Sequence, residues 1–447
     1  MNLELLEPML RGGIRNTHFF NGRLLTAEDL RVEQRANRQQ HQQLGLAIGA
    51  GVVEGYEVRL ANNGSQPVLR VGKGLALTGK GVALALAEDA DVGLVRQALA
   101  VPMGSNTGLF DVCTPGATTP TATVAEGVYL FVVAPASGFA EHAPAVGFNG
   151  NGVASDCDHR YAVEGVTFRL VGVNLTQLSF VSAATRNTLV QLLTQTTPAS
   201  RSLLRNGLAH LCFGTAEAAA FAADPFRLPS GQSPLTSHGL VDWMRSRGDL
   251  TECDVPLAML LWTASGVQFV DLWSVRRQPA PPAVSGVWPL QTGGRRPAEG
   301  EAAYLQFQAQ VAEMIGSDVF GATLTQLHAL DLFRYLPAIG LVPLATNRFQ
   351  GFELADFFEG MAVPEPVYIT GDELTALLRM AHYFPPIDLG RQQQELVWLY
   401  LVRENAEAIA AGSANPPQPY VVFSSGHMPY AGQARYSLDH WDFANYA

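Results

Sequence analysis

The chain has 447 residues, 47% of them hydrophobic and only 15% charged, which is enough apolar material for more than one core and excludes a largely disordered chain. Its formal net charge is −11, and Lys occurs only at Lys73 and Lys80. Such a balance argues against nucleic acid or an anionic membrane as the main partner, because phosphates are held by clustered cations.

The opening residues, MNLELLEPML, carry acids where a signal peptide needs cations, and no later stretch supplies about 18 uncharged apolar residues. The expectation is a soluble protein made in the cytoplasm without a cleaved signal and without a membrane span. Cys113, Cys157, Cys212 and Cys253 are too scattered for a Cys-x-x-Cys pair, so reduced, structural thiols are expected.

The stretch from Phe19 to Leu60 organises the rest. After the turn dipeptide Asn21-Gly22, Thr26 and Asp29 form a near capping box that predicts a helix from about Ala27 to Ala47. Between Glu33 and Gln43 only Ala36 is apolar. A helix polar all round is either a solvated spacer or an element packed by a partner, and Arg31, Gln34, Arg35, Arg38 and Gln42 are its candidate interaction residues. Gly45, Gly49 and Gly51 read as a hinge, and Val52 to Leu60 as one strand.

Short strands punctuated by glycine then run to Leu86, with a turn at Asn62-Asn63-Gly64, and predict a sandwich- or barrel-like β-module. Val128 to Val133 is a central strand; Pro135 to Asp158, rich in Gly, Ala and Pro, reads as a long surface loop. Val163 to Leu170 echoes Val53 to Leu60, which leaves open a duplication or coincident strand patterning. Thr185 to His210 is helical with a break at Thr197-Pro198. Pro256 to Trp262 and Val267 to Trp273 form a buried hairpin about Ser265-Gly266.

Residues 281–298 are the best linker. Beyond it, helices are predicted at Ala298 to Ile315, at Leu324 to Arg334 and, behind the capping box Thr370/Glu373, at Asp372 to His382. Leu396 to Val402, a short helix from Glu404 to Ala411, and Tyr420 to Phe423 permit a parallel crossover. Tyr430, Tyr436, Trp441, Phe443 and Tyr446 make an aromatic tail that either staples onto its own domain or inserts into a neighbour. The fold class is therefore α+β: an N-terminal helix on β-rich modules, followed by a mixed α/β C-terminal domain. The boundaries are 1–62 for the turn, helix and first strand, 63–182 for the β-rich domain, 183–280 for its helical and hairpin continuation, and 299–447 for the last domain.

No motif carries chemistry. Gly74 to Gly81 nearly fits a phosphate-binding loop but lacks the terminal hydroxyl and a following helix. Asp156-Cys157-Asp158-His159 places consecutive side chains on opposite sides of an extended chain, unsuited to one metal. Ser424-Ser425-Gly426-His427 lacks the G-x-S-x-G elbow. Neither a catalytic group nor a cofactor nor a metal is implied. A hydrolase using Glu54, Glu164 or Asp388 on a glycan or cell wall, and a carbohydrate- or receptor-binding module, are the competing classes.

Three stretches carry a resemblance. They are FFNGRLLTAEDLRVEQ with GAGVVEGYEVRL; the strand Val128 to Val133 with CDHR, DVPLAMLLW and GVQFVDLWSVRR; and FRYLPAIGLVP, LVRENAEA and PYVVFSSGHMPYAGQARYSLDHW. Together they resemble a family of poorly characterised proteins encoded beside phage-tail-like contractile injection systems. The helix here is richer in Gln and poorer in aromatics than that pattern. The resemblance implies a structural, non-catalytic subunit in a baseplate, cap, cage or accessory position, with other particle subunits as partners. It also implies a homo-oligomer in a multiple of three or six, and release of the particle by lysis.

Overall fold

The computed structural model describes residues 13–63, 66–93, 126–145, 156–216, 239–281, 293–317, 319–390 and 396–431. Helix α1 (Ala27–Ile48) opens with the expected box: the Thr26 hydroxyl accepts from the Asp29 amide, and the Asp29 carboxylate accepts from the Thr26 amide. The predicted single strand after it is two, β1 (Gly51–Gly55) and β2 (Val58–Asn63). Gly55 and Tyr56 both take positive φ, 62° and 57°, and turn the chain between two sheets. Tyr56 is strained there and compensated, since its ring is fully buried and its hydroxyl donates to the Leu84 carbonyl at 3.3 Å. The Arg276 guanidinium clamps the corner by donating to the carbonyls of Gly55 (2.7 Å) and Tyr56 (3.3 Å).

Strands β3 (Gln66–Val71), β4 (Gly74–Leu77), β5 (Ala83–Leu86) and β6 (Ala90–Gly93) complete two small antiparallel sheets, ordered β1-β4-β5 and β2-β3-β6. The sequence that nearly fits a phosphate loop is thus a hairpin, β4 to β5, with no helix behind it.

The centre of the molecule is a four-stranded antiparallel sheet built from β7 (Gly127–Ala145), β8 (Asp156–Val173), β9 (Val255–Thr263) and β10 (Gly266–Asp271), in the order β10-β9-β7-β8. Val128, Leu130 and Val132 point to one core, Phe131 and Val133 to the other, and both faces are covered, which is why this stretch reads as an unbroken apolar run. The two small sheets cover one face. Helices α2 (Ala183–Thr194), α3 (Pro198–Cys212) and α4 (Gly239–Ser246) cover the other. The break at Thr197-Pro198 is as predicted, and Thr197 caps α3. The hairpin about Ser265-Gly266 also stands, but only β9 is buried along its length; β10 is an edge strand, half covered.

Where it is described, up to Ala145 and from Asp156, the loop predicted from Pro135 to Asp158 is instead a ribbon; residues 146–155 lie outside the described residues. From Ala134 to Ala145, β7 pairs with β8 alone, because β9 ends its pairing at Val133. Pro135 and Pro144 are tolerated there since an edge strand leaves one row of amides unused. The echoing segments Val53 to Leu60 and Val163 to Leu170 do not pair, and one is bent while the other is straight. Cys253 is disulfide-bonded, which corrects the expectation of reduced thiols; Cys212 is free and buried. Sequence spacing reports only cysteines close together in the chain, and Cys253 has none near it.

Helix α5 (Arg295–Gly316) starts before the predicted Ala298. Leu324 to Arg334 is not one helix but a 3-10 turn, Gly321–Gln326, and one helical turn, Ala329–Leu332, with Leu327 and His328 extended between them. A second mixed sheet follows, from β12 (Ile339–Pro343), β13 (Val367–Ile369), β15 (Val397–Val402) and β16 (Tyr420–Ser425), ordered β12-β16-β15-β13; β11 (Tyr335–Leu336) and β14 (Ile387–Asp388) pair beside it. The capping box at Thr370 opens α6 (Gly371–Ala381) as predicted. The short helix α7 (Arg403–Ala410) does not carry a parallel crossover, since β15 and β16 are antiparallel; the parallel pair is β13 with β15. Leu399, Val421 and Phe423 meet Phe307 of α5, while Trp398, Tyr400 and Val422 share the opposite core with Leu377 of α6.

A buried polar seam joins the two regions through α3. The Arg205 Nε donates to Asp271 at 2.5 Å and its Nη1 to Glu313 of α5 at 2.6 Å. Gln306 donates to Asp271 at 3.0 Å, and Gln310 to the Ser202 hydroxyl at 2.6 Å. Burial opposes ionisation of Asp271, but the Arg205 guanidinium and these donors outweigh it and hold the carboxyl below the ordinary carboxylate range.

Candidate docking surface

Helix α1 is seated by backbone rather than by side chains. A Cβ on Gly45 would stand 2.3 Å from the Gly81 carbonyl oxygen, and one on Gly81 would stand 2.1 Å from the Gln42 carbonyl oxygen. The helix therefore touches the β4–β5 turn directly. Gly49, with φ 98°, ends it against the Ala280 carbonyl, and Gly51 meets the carbonyl of Arg277. These glycines are close-approach points, and Gly45 lies inside the helix, so the expected hinge is a lock. One side chain adds to the seat: Arg38 pairs with Glu164 on the ribbon at 2.8 Å.

Ahead of the helix, residues 13–25 form a strap. Thr17 donates to the Asp29 carbonyl at 2.7 Å and to Glu33 at 3.3 Å, and Arg23 pairs with Asp29. The Asp29 carboxyl is held low, first by the Thr26 backbone and side-chain hydrogen bonds and then by Arg23.

The candidate interaction residues divide between inside and outside. Arg31, Gln34 and Arg35 are exposed, the two arginines lying 3.8 and 3.4 Å from Glu28. Arg38 and Gln42 are half-buried on the seated side and do not face outward. Tyr430 folds back, its ring centre 4.3 Å from that of Trp398 and 6.0 Å from that of Tyr400. Tyr436, Trp441, Phe443 and Tyr446 lie outside the described residues.

What the sequence reading missed is apolar. Leu24 is 86% exposed and Leu44 64%; Phe19, Phe20, Leu25, Leu30, Leu46 and Ile48 are exposed as well. They flank the polar middle of α1 at both ends, while the one apolar residue of that middle, Ala36, is buried. An apolar set of this size around one helix is unusual on a surface that stays in water. The signal was present in FFNGRLL, which neither alternates like a strand nor fits the helix that follows.

Chemistry is weaker elsewhere. A polar cleft of about 720 Å³ is lined by Glu54, Glu57, Arg59, Arg70, Lys73 and Asp89 among others. Its charges are largely spent on one another or on backbone: Arg70 forms a bidentate pair with Asp91 at 2.7 and 2.8 Å, and Asp89 accepts from the Lys73 amide at 2.9 Å. Of the candidate acids only Glu54 lines it; Glu164 is paired with Arg38, and Asp388 with Arg334. Among the described residues there is no group of three or more His, Cys, Asp or Glu side chains placed to hold a metal ion, and no helix is long and apolar enough to cross a membrane. No protein-family model matches the chain, and no curated protein matches it.

Proposed function

We propose that this chain is a structural subunit of a phage-tail-like contractile injection particle, acting by protein–protein docking and not by catalysis. The observation that supports it best is α1, fixed to the β-region by glycine contacts yet presenting exposed apolar side chains at both ends. A rigidly held surface helix with exposed apolar side chains supports a role in docking to another protein surface. The chain is made in the cytoplasm and released with the particle on lysis, and the disulfide of Cys253 suits the oxidising surroundings after release. The partners are other subunits of the particle, with this chain present in a multiple of three or six.

Mass spectrometry of purified particles with stoichiometry tests the proposal. The expected result is incorporation in a multiple of three or six, with hydrogen exchange slowed over residues 19–48 only in the particle. A chain absent from particles, and bound to none of their subunits, overturns it.

A further inference from the structure

Six exposed positions of α1, Leu30, Gln34, Asn37, His41, Leu44 and Ile48, are separated by 4, 3, 4, 3 and 4 residues. This is the seam spacing of a two-stranded coiled coil, two positions in every seven. The row runs about 27 Å along the helix at 1.5 Å per residue. It lies roughly a quarter-turn round the helix from Gly45 and Arg38, at about 100° per residue, so the body that seats α1 does not cover it.

We propose that this row pairs α1, parallel and in register, with α1 of a second copy of the chain. The proposal deepens the docking reading by naming one partner of the same helix. The period selects a helix as occupant, because only a partner with the same repeat keeps all six positions in contact. The chemistry of the row selects a second copy. Its ends are apolar, but Gln34, Asn37 and His41 occupy the middle. Laid in an apolar groove, each of these would lose water without gaining a partner, at about 1–3 kcal/mol apiece. An in-register copy sets amide against amide and imidazole against imidazole, and each of these groups both donates and accepts. It also sets Leu30, Leu44 and Ile48 against themselves. Reversing one helix instead puts Gln34 against Leu44 in two layers.

The flanks agree. Glu33 and Arg38 border the row on opposite sides, five residues apart, which is the offset at which opposite charges meet across a parallel pair. Both are half-buried now, Glu33 accepting from the Thr17 amide and Arg38 held on the seated side by Glu164, so the charge pair across the seam forms only where Arg38 exchanges Glu164 for Glu33 of the second copy. Three polar layers make the seam weak for its length, and the pairing is accordingly concentration-dependent in the free chain and strengthened where many copies are held together.

The test is disulfide trapping in the full chain at high concentration under a thiol redox buffer, with the unsubstituted chain as background. Asn37→Cys should give a linked dimer, whereas Gln39→Cys, exposed on the opposite side of the helix, should not. Adding Leu44→Glu with Ile48→Glu to the Asn37→Cys chain should abolish the linked species while the circular dichroism spectrum is unchanged. The pairing is overturned by equal linkage at positions 37 and 39, by linkage indifferent to the two glutamates, or by no linkage at all. Linkage only between Asn37→Cys and His41→Cys chains would replace it with the reversed arrangement and so refute the parallel one. Loss of self-linkage in a chain still incorporated into particles sinks the pairing and leaves the subunit reading standing. Self-linkage in a chain absent from particles does the opposite.

Discussion

Asp271→Asn is the substitution that most directly probes how the two halves of the chain are joined. Asp271 is 1% exposed and accepts from Arg205, Gln306 and the Ser274 amide at 2.5, 3.0 and 3.0 Å. The amide keeps the shape and removes the charge, leaving the buried Arg205 with Glu313, whose side chain is 57% exposed and screened by water. Breaking one partner of a buried pair costs about 3–5 kcal/mol, a fifth or more of the stability of an ordinary domain. The assay is urea unfolding followed by fluorescence at neutral pH. Replacing both partners, Arg205→Met with Asp271→Leu, should recover part of the loss, because apolar residues of similar volume serve a buried site as well as an ion pair. The recovery is incomplete by about 2 kcal/mol, since the Ser274 amide and the Gln306 side chain both lose an acceptor. The sign with pH is fixed: a carboxyl held low in the fold contributes stability above its unfolded value of about 4, and loses it as pH falls through the folded value. The gap between wild type and Asp271→Asn should therefore start to narrow as pH falls below about 4 and close only below the folded value. A single variant within about 1 kcal/mol of wild type, or a double variant less stable than the single, would refute the reasoning.

Three further outcomes follow from named contacts. Ala at a helix glycine normally stabilises by about 1 kcal/mol, but at Gly45 the new Cβ meets the Gly81 carbonyl oxygen, so Gly45→Ala should destabilise by about 1–2 kcal/mol and speed amide exchange in α1. A stabilised variant would show that the helix is not seated there. Thr26→Ala removes the cap of α1 and should cost about 1 kcal/mol by thermal unfolding, whereas Glu28→Ala should cost little. His210 is pushed down to about 3, by burial first and then by the Arg334 charge. It stays neutral in the fold while the unfolded chain takes up a proton below about pH 6.5, so stability should fall by up to about 1.4 kcal/mol per pH unit from there towards pH 4.5; His210→Gln should flatten that slope.

The parts of the fold legible in the sequence are those with a local cause. The capping boxes at Thr26 and Thr370, the break at Thr197-Pro198 and the hairpin at Ser265-Gly266 each depend on residues within a few positions of one another. What was missed depends on distant neighbours. A glycine that admits another backbone looks the same in sequence as one that bends, so Gly45 and Gly49 read as a hinge until Gly81 and Ala280 were seen beside them. The ribbon was hidden because its Gly, Ala and Pro content suits an edge strand and a loop equally well. The corner at Tyr56 was hidden because an aromatic residue seldom takes positive φ, and it does so here only with Leu84 and Arg276 holding it. On the docking surface, the polar middle of α1 points to Arg38 and Gln42, and nothing local to the sequence tells that the leucines at its ends stay exposed, because that depends on which face the rest of the fold covers.

The glycine seat of α1 has a mechanical meaning. Side-chain packing yields under load, because rotamers shift and long chains bend, but at Gly45 and Gly49 peptide groups rest on peptide groups with nothing compressible between them. A pull or twist applied to the outer face of α1 would pass stiffly into the β4–β5 turn and the Arg277–Pro281 backbone. From there the path leads to Arg276, which grips the Tyr56 corner, and to the strands beneath it. Under such a load the helix would behave as a rigid lever and not as a tether.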